Sequence, residues 1–377
     1  MKIKTKTKTK TKTNRSFKLK NRSFSPLLNK KLQVHSLKTL KPKTLQICDN
    51  LLNLQIIKNN RITCQPYNSS SIQELLLYNL KSSKHLDISR FIPPVQLSAN
   101  CWFNTMFVTF FFSDKGRKFF RFFRELMITG RKLDNSIIPT DLAKLFFILN
   151  LFIEASYNQN TKSKALFNII NKLTNKLNTN FFIYHIYQII NNKPNAINHN
   201  ILLENNNKLY NIPNIDDAGN PVAYYESILK YLNYNTLQIM KQQFQIKSNN
   251  VYEVLKQKFY NIFDIIILED FQTNSHYETS YKLVDSKNIT YNYVLDSIIL
   301  TNKDYFKPNS NSHFVSVLTC NNEEYKYDGS SYSKFEKFKW KKLINTNKDW
   351  NFRENPKYEP ELYNFTKGYK IMFYYRS

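Results

Sequence analysis

The sequence predicts an α+β fold in which a helical part is followed by an antiparallel sheet. Apolar residues recur at helical spacing through much of residues 98–240, whereas residues 251–377 contain short runs of β-branched and aromatic residues. With 377 residues, 42% of them hydrophobic, the chain can form two domains, or one large domain with an appendage. We expect a basic tail over residues 1–33, an N-terminal extension over 34–86 and the main domain over 87–377. Its helical part is expected at about 98–240 and its sheet part at about 251–377.

Positive charge is concentrated at the N-terminus. The formal net charge is +27, and residues 1–45 hold 15 of the 55 Lys and Arg residues and no acidic residue. Residues 1–33 begin with a Lys-Thr alternation and have too little apolar surface to order themselves. Such a tail can hold nucleic acid by charge alone, act as a nuclear import signal, or be solvated without a ligand.

The cysteine pattern predicts reduced thiols. The four cysteines, Cys48, Cys64, Cys101 and Cys320, have no C-x-x-C spacing and no histidine cluster near them. We therefore expect neither a structural zinc site nor a disulfide scaffold. The N-terminus has no secretory h-region, and no apolar stretch reaches transmembrane length. These observations predict an intracellular protein that does not contact a membrane.

Residues 96–112 place Cys101 in the first turn of a helix that is apolar on nearly every side. Such a helix belongs in a core, and Ser98 or Asn100 is available to cap it. Unpaired backbone N–H groups and the helix dipole favour a thiolate at this position. Taken by itself, however, Cys101 is better interpreted as a small buried residue.

Other segments complete the pattern. Helical periodicity occurs at residues 72–80, 117–129, 139–157, 165–177 and 221–232. Strands are predicted at residues 263–268, 293–300, 313–319, 324–328 and 369–375. Residues 181–190 fit a strand or a helix, and the Asn-rich residues 191–214 fit a loop.

The dipeptide Asn321-Asn322 separates two of the predicted strands. Asparagine tolerates the positive φ that a two-residue hairpin turn requires. A two-residue turn would place Val315 opposite Asp328, with His313 two residues away on the same face. The histidine and the aspartate would then be diagonal neighbours that can pair. A three-residue turn would put them on opposite faces.

A helix-N-terminal cysteine followed by a His–Asp hairpin is what nucleophilic acyl transfer requires. His313 would take the proton of Cys101, and Asp328 would fix the imidazole tautomer. Gln96, five residues before the cysteine, could help to hold the oxyanion. Each residue also has a plainer interpretation: a strand-end histidine, a turn aspartate before Gly329, and a polar loop residue. Their joint occurrence in this order favours catalysis.

Several motifs resemble those of one family. Gln96 stands five residues before Cys-Trp-Phe-Asn at 101–104, and His313 opens an alternating strand that is followed by Tyr-Lys-Tyr-Asp-Gly-Ser at 325–330. These patterns resemble the cysteine and histidine boxes of the ubiquitin-specific proteases, which are papain-like deubiquitinases. The resemblance covers about residues 87–376. Flanking glycines and paired C-x-x-C motifs typical of that family are absent.

The resemblance implies a papain-like α+β fold of the ubiquitin-specific protease type and a thiol isopeptidase that needs no cofactor. Its partners would be ubiquitin or a ubiquitin-like protein and the conjugates of either. The catalytic residues it implies are Cys101, His313, Asp328 and Gln96. The substrate-binding residues it implies are Asn104, Tyr225, Ser312 and Phe314.

Two alternatives remain at the level of the sequence. The same Cys, His, Asp order serves other papain-like acyl transferases, such as a transglutaminase-type enzyme. A protein of a different class would be an inactive protease-like scaffold or a virion structural protein with a nucleic-acid-binding tail. The Asn- and Lys-rich composition is typical of an AT-rich genome and, with the resemblance, implies a divergent viral or protist member. Its expected location is the host cytoplasm or nucleus, with packaging in a virion as a further option.

Overall fold

The protein is represented by a computed structural model. It describes residues 43, 45–48, 50–58, 60–82, 88, 93–94, 96, 99–157, 179, 183, 186–187, 189, 200–202, 209–211, 220–232, 237–244, 251–271, 276–308, 312–330, 335–352 and 361–377. The predicted basic tail over 1–33 and the predicted helix over 165–177 lie outside these residues. None of the described helices is long and apolar enough to cross a membrane.

The N-terminal extension contains a hairpin and a helix. Strands β1 (Asn53–Lys58) and β2 (Arg61–Pro66) pair antiparallel, and helix α1 (Ser70–Lys81) follows at the position that the apolar spacing predicts. The buried side chains Leu54, Ile72 and Leu76 belong to the same hydrophobic cluster as the helices of the main domain. The extension is therefore continuous with the core of the protein.

A disulfide in the extension contradicts one expectation. Cys48 and Cys64 are bonded to each other, so the prediction of four reduced thiols is wrong for this pair. The two residues meet because the backbone of residues 47–48 pairs with the start of β1, through the Ile47–Leu54 bridge and the bond from Cys48 N to Asn53 O. A spacing of 16 residues in the sequence gives no sign of this tertiary pairing. The intracellular location stays a prediction.

The helical part follows the predicted order. Its helices are α2 (Cys101–Phe111), α3 (Asp114–Phe119), α4 (Arg121–Thr129), α5 (Thr140–Tyr157) and α6 (Pro221–Tyr231). All eleven residues of α2 are buried, as its apolar sequence predicts. Two short strands, β3 (Asn200–Leu202) and β4 (Leu209–Asn211), pair where a loop was expected.

The strands of the main sheet are β5 (Ile239–Phe244), β6 (Ile265–Asp270), β7 (Ser280–Val284), β8 (Thr290–Thr301), β9 (Phe314–Cys320), β10 (Glu323–Tyr327), β11 (Phe335–Lys337) and β12 (Lys370–Arg376). Within the described residues they lie in the order β11-β10-β9-β8-β12-β6-β5, and β7 pairs with β8. The five strands predicted from the sequence are confirmed as β6, β8, β9, β10 and β12. A short 3₁₀ helix (Trp340–Lys342) follows β11.

The sheet is mixed and not wholly antiparallel as predicted. β5 is parallel to β6 and is connected to it through helix α7 (Val251–Lys258), which occupies a region expected to contain only strands. A parallel pair needs such a crossover connection. The polar stretch Lys241-Gln-Gln243 inside β5 hides the strand from a hydrophobic pattern.

Both faces of the sheet are covered. In β6, Ile265 and Ile267 face the helical cluster, whereas Ile266 and Leu268 face a second cluster that contains Trp340. This alternation follows from the two-residue period of a strand. Helix α2 packs on β9 and β8 from the helical side. The fold thereby places the N-terminus of α2 beside the first residues of β9.

Candidate active site

A two-residue turn aligns a histidine with an aspartate. Asn321 and Asn322 have φ values of 52° and 62°, as the hairpin prediction requires. Cys320 pairs with Glu323 and Ser316 pairs with Tyr327, which is the predicted register. His313 and Asp328 stand just outside the paired residues at the open end of this hairpin. His313 Nε2 lies 2.7 Å from Asp328 Oδ1.

The carboxylate of Asp328 fixes the imidazole tautomer. A carboxylate only accepts hydrogen bonds, so Nε2 carries a proton, and Nδ1 is the ring nitrogen that can exchange one. Asp328 also accepts hydrogen bonds from the backbone N of Ser330 at 2.8 Å and from its Oγ at 2.9 Å. Burial raises the pKa of Asp328, but His313 and the Ser330 donors outweigh burial and lower it overall. Asp328 is therefore held in its charged form.

His313 lies between this carboxylate and a sulfur. Burial lowers the pKa of His313, but the hydrogen bonds and charges of Asp328 and Cys101 outweigh burial and raise it to about 10. The side chains of His313 and Cys101 are buried, at 8% and 6% exposure. Such an environment stabilises an imidazolium next to an acidic partner.

Cys101 is the first residue of α2 and has a free thiol. Asn100 is at the N-cap position, but its side chain makes no capping hydrogen bond. Its amide donates to Thr179 Oγ1, and that hydroxyl donates to Asn104 Oδ1 at 3.1 Å. The predicted capping by Asn100 is therefore wrong, because a residue far along the chain engages the amide. The alternative cap, Ser98, lies outside the described residues.

The remaining cysteines do not compete with Cys101 as nucleophiles. Cys48 and Cys64 are consumed in the disulfide. Cys320 is fully buried in β9, and burial raises the pKa of its thiol to about 12. A thiol with so high a pKa is almost entirely protonated at neutral pH and is a poor nucleophile.

Gln96 lies beside the strand that carries Asp328. Its backbone N donates to Gly329 O at 3.1 Å, and the hydroxyl of Tyr327 donates to Pro94 O. Gln96 Oε1 is buried and has no hydrogen-bond partner among the described residues. These contacts bring the segment before Cys101 against the end of β10. The predicted oxyanion role of Gln96 stays a prediction.

The four predicted substrate-binding residues have different surroundings. Asn104 is fully buried in α2, and Tyr225 is buried with its ring stacked on Phe103 at 6.0 Å. Phe314 is 9% exposed, with its ring at 6.0 Å from that of Tyr369. Ser312, next to His313, is exposed. In this conformation Ser312 is the one of the four that faces solvent, and substrate contacts by all four stay predictions.

Sequence reasoning assigned no role to several residues that shape the site. Ser330 supports Asp328 and lies 3.4 Å from His313 Nε2. Its position two residues after an aspartate is a local signal for such a bond. Tyr327 and Pro94 are 233 residues apart, and no local signal predicts their contact.

Comparisons with known proteins give little more. No family model matches the sequence, and a search of curated proteins gives no match. Among solved structures, the chain is similar to the SAGA Ubp8/Sgf11/Sus1/Sgf73 DUB module, at 10% identity and a TM-score of 0.37, over 86% of this chain and 80% of that chain. The same module bound to ubiquitin aldehyde gives 9% identity and a TM-score of 0.39, over 86% and 81%. A likeness of this size assigns neither a fold family nor an activity.

Proposed function

We propose that the chain is a thiol isopeptidase that removes ubiquitin or a ubiquitin-like modifier from proteins, with Cys101, His313 and Asp328 as its catalytic triad. The observation that supports this most is the position of His313, whose Nε2 lies 2.7 Å from Asp328 and whose ring is close enough to Cys101 for that residue to raise its pKa. The choice of a ubiquitin-type modifier rests on the resemblance of the cysteine and histidine boxes. The proposal includes a papain-like arrangement in which the modifier's C-terminal tail passes between the helices and the sheet.

The first chemical step forms a thioester. The Cys101 sulfur attacks the carbonyl carbon of the isopeptide bond, and the C–N bond breaks as the His313 proton passes to the leaving lysine amine. Asp328 keeps the imidazole oriented and stabilises its charged form. The raised pKa of His313 favours its protonated form, which is the form that donates to the leaving amine.

The second step releases the modifier. Water attacks the thioester carbonyl while His313, now neutral, takes a proton from that water. The carbon–sulfur bond breaks, and Cys101 leaves as a thiolate beside the imidazolium. The modifier is released as a carboxylic acid, which then loses its remaining proton to solvent. The backbone N–H of Cys101 and the amide of Gln96 would stabilise the oxyanion in both steps. No cofactor takes part in this scheme.

Ubiquitin and ubiquitin-like proteins that bear a C-terminal electrophile provide the direct test. We expect a covalent adduct at Cys101, identified by mass spectrometry, that is absent in Cys101→Ala. In His313→Ala the rate of adduct formation should fall on the order of 10²–10⁴-fold, since the proton acceptor is lost.

Cys320→Ala is the matched control, because it removes the other free thiol and should retain the adduct. An adduct at another residue, or none with any of these probes, would contradict the proposal and favour a scaffold. Incorporation of an amine without modifier release would instead identify a transglutaminase-type enzyme.

A further inference from the structure

The turn of the His–Asp hairpin is bound by a carboxylate from the helical part. Asp114 is the first residue of α3, and its Oδ1 accepts a hydrogen bond from Asn321 N at 2.9 Å. Its Oδ2 accepts one from Asn322 N at 3.0 Å. Each oxygen thus holds one residue of the two-residue turn. Hydrogen bonds to a charged acceptor are stronger than those between neutral groups.

Asp114 is itself rigidly held. Ser113 caps α3 by accepting from Gly116 N at 3.1 Å, and its hydroxyl donates to Thr109 O at 2.7 Å in α2. Arg117 makes an ion pair with Asp114 at 2.5 Å. The carboxylate is therefore fixed relative to the helix that carries Cys101.

The same end of α3 has a second contact with the sheet. Asp296 Oδ2 accepts a hydrogen bond from Lys115 N at 3.3 Å. The pairing of β12 with β8 shifts register between Phe373 and Tyr374, which leaves Asp296 as an unpaired residue in β8. Such an irregularity re-aims a side chain. The start of α3 is thus connected to both β8 and the β9–β10 turn.

These contacts lie far from the proposed catalytic site. α2 is about 16 Å long and packs on β9, with Cys101 and His313 at one end. Asp114 and the turn are at the opposite end. The relative position of helix and strand is thereby held by packing along α2 and by one polar contact near each end: the Cys101–His313 contact and the carboxylate on the turn.

We propose that Asp114 is a positioning residue that sets the register of the Cys101 helix against the His313 strand, by binding the hairpin turn through both carboxylate oxygens. Without it, the turn end of the hairpin can move relative to α2 although β9 stays paired with β8 and the His313–Asp328 pair stays intact. The contact that is lost or lengthened is the one between His313 and the Cys101 sulfur. This inference rests on the proposed function, because a positioning role requires that the Cys101–His313 pair is used.

The chain offers a matched control in Asp141. It lies in the first turn of α5 and pairs with Lys144 three residues later at 3.0 Å. Asp114 has the same relation to Arg117 in α3. The carboxylate of Asp141 makes no hydrogen bond to the β9–β10 turn. A loss common to Asp114→Ala and Asp141→Ala would therefore come from helix stability and not from register.

The test is the pH profile of Cys101 alkylation by iodoacetamide, followed by mass spectrometry of the Cys101 peptide. In the wild-type protein we expect Cys101 to be alkylated faster at pH 6 than in His313→Ala, because the imidazolium beside the sulfur is then present. In Asp114→Ala the rate at pH 6 should fall on the order of 10²-fold, because the imidazolium no longer meets the sulfur. Asp114→Asn keeps the shape of the side chain but loses its charge and one acceptor, so it should fold and show an intermediate shift.

The positioning role would be overturned if both Asp114 variants kept the wild-type pH profile of Cys101 alkylation and only their melting temperatures fell, as in Asp141→Ala. Alkylation does not require a modifier, so it separates the two proposals. If the unmodified protein alkylates at acid pH but ignores every ubiquitin-like probe, the modifier assignment fails, and a shifted Asp114→Ala profile still supports the positioning role. If the unmodified protein shows no acid-range alkylation, the catalytic pair is refuted and the positioning role with it.

Discussion

The two sides of the candidate site are assembled in different ways. His313 and Asp328 are 15 residues apart and are brought together by one hairpin. Cys101 and Gln96 are positioned by contacts between distant parts of the chain. These include the bond from Tyr327 to Pro94, which spans 233 residues. The His–Asp side is therefore formed by residues close together in the sequence, whereas the Cys–Gln side depends on contacts between residues far apart in it.

Because of this difference, the two sides should respond differently to mutation. The hairpin side depends on the number of residues in its turn and on side chains that stay on one face. The cysteine side depends on a few hydrogen bonds that hold the segment before α2 against the end of β10. Changes in turn length should therefore destroy the site, whereas loss of single tertiary contacts should weaken it by degrees.

The largest effect should come from inserting one glycine between Asn321 and Asn322. A shift of one residue in β10 moves its side chains to the other face, so Asp328 no longer reaches His313. We expect probe reactivity to fall to the level of His313→Ala, a loss on the order of 10²–10⁴-fold. Rates are compared at a temperature at which circular dichroism shows folded protein.

The control for this insertion is Asn322→Gly. Residue 322 has a φ of 62°, which glycine adopts at no steric cost, and the turn keeps two residues. Reactivity should be unchanged and the melting temperature equal or higher. An insertion variant as reactive as the unmodified protein would mean that the hairpin does not set the site.

A smaller effect is expected from Tyr327→Phe on the tertiary side. Tyr327 is fully buried, and removing its hydroxyl leaves the carbonyl of Pro94 without that hydrogen bond. The free energy of unfolding should fall by about 1 kcal/mol. Probe reactivity should fall on the order of tenfold, since Gln96 and Cys101 follow Pro94 closely.

Tyr325→Phe provides the comparison on the same strand. The hydroxyl of Tyr325 donates to Glu323 Oε2 within β10 at 2.6 Å. Urea denaturation and probe kinetics should leave this variant close to the unmodified protein. Equal effects of the two substitutions would argue that the Pro94 contact has no special role.

The smallest expected effect is on the free energy of unfolding, and it depends on the His313–Asp328 pair without Cys101. In Cys101→Ala we expect the pKa of His313 to stay above its ordinary value of 6.5, because the hydrogen bond and charge of Asp328 remain. A group whose pKa is raised by folding contributes stability that is fully present below about pH 6.5 and lost as the pH rises through the folded value. Cys101→Ala should therefore have a higher free energy of unfolding than Cys101→Ala/His313→Gln. This difference should be largest at pH 6.

Urea denaturation of this pair of variants at pH 6, 8 and 10 measures the difference. It should shrink steadily as the pH rises. A difference that grows with pH would show that His313 is neutral in the folded state and that Asp328 does not stabilise its charge.

Much of the local structure could be predicted from the sequence. The Asn-Asn turn, the His–Asp register and the buried helix of Cys101 each follow from a pattern within about 20 residues. The capping of α2, the disulfide of Cys48 and the parallel strand β5 could not be predicted. The cap fails because the amide of Asn100 is bound to Thr179, which is far along the chain. The disulfide depends on a tertiary contact between Cys48 and Cys64, and β5 contains a polar run that does not look like a strand in the sequence. The catalytic roles of Cys101, His313 and Asp328 stay predictions until the probes are used.

The complete burial of α2 divides the proposed enzyme into a stationary part and an adjustable part. Every residue of that helix is buried, so a displacement of the whole helix would disturb the core around it. The open end of the hairpin and the segment at Pro94–Gln96 are held by individual hydrogen bonds. An activator or inhibitor of the site would therefore act more readily by moving the base and the oxyanion donor than by moving the buried helix that carries the nucleophile.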